Sequence, residues 1–191
     1  MVVARRTLLG LAAQLAIAGV PRAGTAGESL EYRDGRLTWP EGAARAAAGR
    51  TGVSADKKEG DGATPAGKFP LVSAFYRADR MPAPRSGLPL RALTPNDAWV
   101  DDPADKKYNR VVSLPYLAHA EPMWLDDEVY DLLVVIGYNM APVVAGAGSA
   151  IFLHIARPDF SPTAGCIAVA REALIGLMPL LGPGSTITVR G

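Results

Sequence analysis

Proline and glycine recur so often in this chain, 16 and 20 times in 191 residues, that little of it is free to form long helices. Proline removes a backbone donor and fixes φ, and glycine opens conformations that other residues avoid, so the two together divide the chain into short pieces. The pieces between them are rich in Val, Ile, Leu and aromatic residues, the composition of strands. Strands are expected over 37–39, 69–75, 111–114, 132–138, 150–155 and 186–189. One helix is expected over 171–181, ending at Gly182-Pro183-Gly184 and irregular near its end because of Pro179. The alanine-rich 43–48 reads as a helical turn or a loop, and 77–110, dense in Pro, Asp and Arg, reads as a long loop. The fold class is therefore mainly β, with one or two short helices and long loops.

The first 26 residues have the layout of a secretory signal peptide. Arg5 and Arg6 form a basic start, 8–20 is an apolar run broken only by Gln14, and small residues follow. That run is shorter than the about 20 residues a bilayer span requires. The paired arginines also fit a twin-arginine leader loosely. The expected organisation is a leader over 1–26 and one domain over 27–191, exported to the periplasm or cell envelope with no membrane span once the leader is removed. Without the leader, basic residues fall from 20 to 17 against 19 acidic ones, so no basic face for nucleic acid is expected.

Cys166 is the only cysteine. Exported domains use cysteines mostly in disulfide pairs, so an unpaired thiol calls for an explanation: a small core residue, or a nucleophile. His154 sits at the end of the apolar stretch 150–155, and the segment 156–165 is long enough to bring Cys166 back to it. A thiol needs such a neighbour because only the thiolate is a good nucleophile, and a free cysteine is a few per cent ionised near neutral pH. Gly165, directly before Cys166, permits a sharp turn that leaves the amides of Gly165 and Cys166 to face a developing oxyanion. Thr163, Arg157 and Tyr138 are candidate substrate contacts; Asn139, Asn109, Arg110 and His119 are weaker ones. The acidic groups Asp101-Asp102 and Asp126-Asp127-Glu128 lack the spacing of a metal site, and no phosphate-cradling or dinucleotide motif is present, so no metal or other cofactor is expected.

The pattern His154 … Thr163-Ala164-Gly165-Cys166-Ile167 resembles the active-site signature of the L,D-transpeptidase catalytic domain family (YkuD-like, ErfK/YbiS type). The turn Thr64-Pro65-Ala66-Gly67 leading into a strand, and 148–154, are similar to other parts of the family pattern, and the likeness runs from Leu30 to Val189. The resemblance implies a YkuD-like β-sandwich and a two-step acyl transfer on peptidoglycan stem peptides, with a thioester on Cys166, His154 as base and a main-chain carbonyl orienting the histidine. A cysteine amidase or L,D-carboxypeptidase, and a non-catalytic wall-binding domain, are the alternatives. Many family members read Ser-His-Gly-Cys-Ile-Arg, and here Ala164 and Ala168 replace the histidine and the arginine.

Overall fold

The structure is a computed structural model that describes residues 27–191; the leader expected over 1–26 lies outside them. Among the described residues, fourteen strands follow in chain order: β1 (Ser29–Arg33), β2 (Arg36–Trp39), β3 (Gly42–Ala47), β4 (Val53–Ser54), β5 (Thr64–Pro65), β6 (Gly67–Tyr76), β7 (Leu90–Ala92), β8 (Asp97–Val100), β9 (Val111–Ser113), β10 (Ala120–Pro122), β11 (Leu132–Ile136), β12 (Phe152–Ile155), β13 (Ile167–Val169) and β14 (Thr186–Arg190). One α-helix, α1 (Arg171–Leu177), precedes β14 and passes into a 3-10 turn, Met178–Leu180. The fold is mainly β, as the sequence leads one to expect.

Nine strands form one sheet in the order β11-β12-β13-β3-β2-β1-β14-β6-β7, and β11 also pairs with β6. That extra pairing makes a closed, barrel-like sandwich, which removes most exposed strand edges. The ten-residue β6 makes closure possible: residues 67–70 pair with β14, and residues 71–76 pair with β11 across a register shift at Val135/Ile136. Inside lies a cluster that includes Leu30, Leu37, Leu153, Ile155, Ile167, Val169, Ile187 and Val189, joined by Leu174 and Leu177 of α1.

A second apolar cluster lies on the other face of β11 and β12. Phe75, Leu133, Val135 and Phe152 pack there with Trp99 of β8, Met123 and Tyr130. Side chains alternate along a strand, so Leu132, Val134 and Ile136 enter the first cluster while Leu133 and Val135 enter the second. Every residue of β11 and β12 is buried. This accounts for the unbroken apolar sequence of β11 and for the apolar residues on either side of His154 in β12, since a strand covered on both faces has no polar side to show.

The segment 43–48 departs from expectation. Most of it is strand β3, whose residues pair antiparallel with β2 (Leu37 with Ala44) and with β13 (Ala168 with Ala47). Alanine has little strand preference of its own, and the neighbours on either side impose the conformation. The region 77–110 likewise contains β7 and β8; Asp97, Ala98, Trp99 and Val100 are all buried, with β8 central in a small sheet between β10 and β9. The helix is shorter than expected and ends as α-helix before Pro179, which cannot donate to the preceding turn.

Because β12 is packed from both sides, a cavity there is expensive. Leu153→Ala should lower the unfolding free energy by about 3–5 kcal/mol, whereas Val111→Ala, at a partly exposed position, should cost about 1 kcal/mol or less, both checked by urea unfolding.

Candidate active site

The site lies where β12 and β13 run side by side. The two strands are parallel, with Leu153 opposite Ile167 and His154 opposite Ala168. Extending that register by one residue sets Cys166 beside Phe152, and the Phe152 N–H donates to Cys166 Sγ at 3.4 Å. Phe152 and His154 are two apart, so they share the face that Cys166 joins, away from the inner cluster. The chain links the two strands through 156–166, and Thr163 anchors that return. Its N–H donates to Ala48 O at 2.9 Å, its carbonyl accepts from Arg50 N–H at 2.9 Å, and its hydroxyl donates to Cys166 O at 2.6 Å.

Gly165 makes the final bend before the thiol. Its φ is +146°, and a Cβ placed there would stand 2.8 Å from the Ala63 carbonyl oxygen. Its own N–H donates to Thr163 Oγ1 at 3.1 Å. Ala150, on the other side of the sulfur, holds a φ of 52° that non-glycine residues seldom adopt. Its N–H donates to Asn109 Oδ1 at 3.2 Å, and its carbonyl accepts the Cys166 S–H at 3.2 Å. Asn109 is itself buried and fixed, taking a bond from Trp99 Nε1 at 2.8 Å and donating to Tyr138 O and Asn139 O. The orientation of the thiol is thus set by Asn109 through Ala150.

A cavity of 340 Å³ opens over these groups. Cys166, His154, Thr163 and Arg157 line it, as does Ala164. Tyr138 is not on the wall, and its hydroxyl donates to Ala147 O at 2.5 Å. His119 is exposed and bonded to Asp101 at 2.5 Å. The wall also carries charged and polar groups that the sequence gives little reason to single out: Arg50, Lys57, Glu59, Asp101, Glu121 and Tyr130. Lys57 is buried, with Nζ 2.6 Å from Asp61 Oδ1. Glu59 accepts bonds from the hydroxyls of Tyr108 and Ser149.

Electrostatically the pair is at rest. Burial holds the His154 imidazole down to about 4, the Arg157 charge acting in the same sense. Nδ1 lies 2.9 Å from its neighbour's carbonyl, Ile155 O, so the neutral ring carries its proton on Nδ1 and turns Nε2 free. Burial pushes the Cys166 thiol up to about 12, and the charge of Glu121 adds to this against the opposing Phe152 N–H and Lys57. Near neutral pH the site therefore holds a thiol beside an imidazole, with no ion pair.

This is a closed β domain in which a thiol and an imidazole from neighbouring parallel strands line one polar cleft. The chain belongs to the L,D-transpeptidase catalytic domain family (YkuD), whose family model matches residues 25–189. Its function is that of this peptidoglycan-acting family, whose members work at the cell wall. Comparison with curated proteins and with solved structures gave no match. Among the described residues, no helix is long and apolar enough to cross a membrane.

Two outcomes follow from the geometry. Gly165→Ala should destabilise the fold by about 1–3 kcal/mol and displace Cys166, seen as a lower unfolding midpoint and an altered alkylation rate of the thiol. The buried neutral histidine also sets a pH dependence. Its folded pKa, about 4, lies below the ordinary 6.5, so the unfolded chain binds the proton more readily between those values. The stability it supports is complete above 6.5 and falls as pH drops toward 4, by up to about 3 kcal/mol. Urea unfolding at a series of pH values should show that slope in the wild type and lose it in His154→Gln.

Proposed function

We propose that the protein is an L,D-transpeptidase in which Cys166 is the nucleophile and His154 the general base. The observation that carries this reading is the placement of the two side chains on adjacent parallel strands, facing one cleft in a chain of this family. Cys166 Sγ attacks the carbonyl carbon of the L-centre of a diamino acid that is bonded to a terminal D-alanine. His154 Nε2 takes the thiol proton as the S–C bond forms, and passes it to the D-alanine nitrogen as the C–N bond breaks. An amine of a second stem, or water, then attacks the thioester, gives up a proton through His154, and releases Cys166 as the thiol.

The resting protonation states fit this order. With a thiol up to about 12 and an imidazole down to about 4, proton transfer is uphill until substrate is present. The transfer is therefore coupled to bond formation, where the negative charge passes from sulfur to the carbonyl oxygen. The Cys166 amide is the donor proposed for that oxyanion, because the Gly165 N–H is already given to Thr163. Arg157 lines the cleft and shares its charge with Asp127 at 3.3 Å, a loose pairing that leaves it able to meet a substrate carboxylate. Residues 1–26 are proposed to be an export leader that delivers the domain to the wall.

The test is intact-mass spectrometry after incubation with a tetrapeptide stem ending in D-alanine. The wild type should gain the mass of the tripeptide acyl group and release D-alanine; Cys166→Ala should do neither. Adding an amine acceptor should discharge the adduct with a cross-linked product, whereas discharge by water alone would mark a carboxypeptidase. Absence of both adduct and released D-alanine, with a thiol that still alkylates, would reject the proposed donor.

A further inference from the structure

Tyr130 and Glu121 take no part in the steps above, yet both sit at the sulfur's side of the cleft. Tyr130 is buried at the approach to β11, and the neighbouring Asp131 fixes that segment through Arg80 and Arg171, each at 2.8 Å. Its ring stands edge-on to His154 with centroids 5.4 Å apart, and edge-on to Phe152 at 5.8 Å. Both of those rings belong to β12, the strand that carries His154. Its hydroxyl donates to Glu121 Oε1 at 2.6 Å; Tyr130 packs in the same buried cluster as Cys166, and all three residues line one cleft. A phenol has one proton to donate, so it serves either the carboxylate or the sulfur.

The carboxylate is held unfavourably. Burial raises the pKa of Glu121, and the charges of Asp101 and Glu59 raise it further, against the Tyr130 bond and the nearby His119. Around the sulfur, Lys57 and the Phe152 N–H favour the thiolate and Glu121 opposes it. The imidazole of His154 completes the set of titratable groups at the thiol.

We propose that Glu121 and Tyr130 form a proton-dependent latch on Cys166, in which ionised Glu121 holds the phenol proton and keeps the thiol protonated, and neutral Glu121 frees the phenol to donate to the sulfur. In the neutral form the carboxylic O–H donates to the Tyr130 oxygen, and the Tyr130 O–H turns to the thiolate. Tyr130 keeps its proton throughout, Glu121 takes one from solvent, and the thiol proton still goes to His154. In that neutral form Tyr130 touches the reacting sulfur and is a catalytic residue, and Glu121 is a positioning residue that acts through it. The proposal builds on the reading of Cys166 as nucleophile, but its test needs no peptidoglycan and so fails or stands separately from the choice of substrate.

The experiment measures the alkylation rate of Cys166 by iodoacetamide in the full chain, as a function of pH. Glu121→Gln is neutral, donates its amide N–H to the Tyr130 oxygen, and should lower the thiol pKa by about one unit, a rate about tenfold faster at a fixed pH below that pKa. Adding Tyr130→Phe should erase most of that gain. Equal or slower alkylation in Glu121→Gln would overturn the proposal. So would a gain that survives undiminished with Tyr130→Phe, since the charge would then act on sulfur without the phenol. The wild type supplies a second readout should Glu121→Gln not fold. Its log rate should rise with pH, flatten where Glu121 ionises, and rise again; an unbroken line of unit slope, or the same flattening in Tyr130→Phe, would reject the latch.

Discussion

The rest of the structure depends on the burial of β12 on both faces. Leu153 and Ile155 point into the closed barrel, while Phe152 and His154 point outward into the second cluster. A strand so enclosed cannot slip by one residue, because a slip would turn the imidazole into the apolar interior and send Leu153 to the cleft. The parallel pairing with β13 carries that constraint to Cys166, and the Thr163 bonds to Ala48 and Arg50 close the return. Core packing and the geometry of the cleft are therefore one arrangement, and it depends on the unusual backbone at Ala150 and Gly165.

How much of this was legible in the sequence follows from the same physics. Strands buried on both faces announce themselves as apolar runs, so those near 132–138 and 150–155 could be read directly, with ends off by two residues at most. Edges and inserted strands could not. β3 is Gly-Ala-Ala-Arg-Ala-Ala, a composition without strand signal, and exists because β2 and β13 present two rows of hydrogen-bonding groups to it. β8 and β10 lie in or beyond the long polar region, and their strand character comes from pairing with each other rather than from their own alternation.

The site divides in the same way. Cys166, Gly165, Thr163 and His154 lie within thirteen residues of one another, so a local pattern exposes them, and the family resemblance adds to it. Arg50, Lys57, Glu59, Asp101, Glu121 and Tyr130 reach the cleft from four separate stretches, and nothing in one sequence ties them together. Asn109 is the sharpest case. In the sequence it stands out only as a weak candidate for a substrate contact, yet it orients Ala150 and, through it, the thiol.

The surrounding charges explain why so enclosed a thiol is not simply inert. A buried cysteine with no polar neighbour would stay protonated and unreactive, and burial does press Cys166 that way. The counterweights are local and few: the Phe152 N–H, Lys57 and the phenol of Tyr130 favour the thiolate, while Glu121 opposes it. Charges beside a buried thiol are screened less than charges on the open surface, so they weigh more on its ionisation. A thiolate held permanently in an open cleft is prone to oxidation. Holding the sulfur protonated protects the only cysteine in the chain at the cost of nucleophilicity.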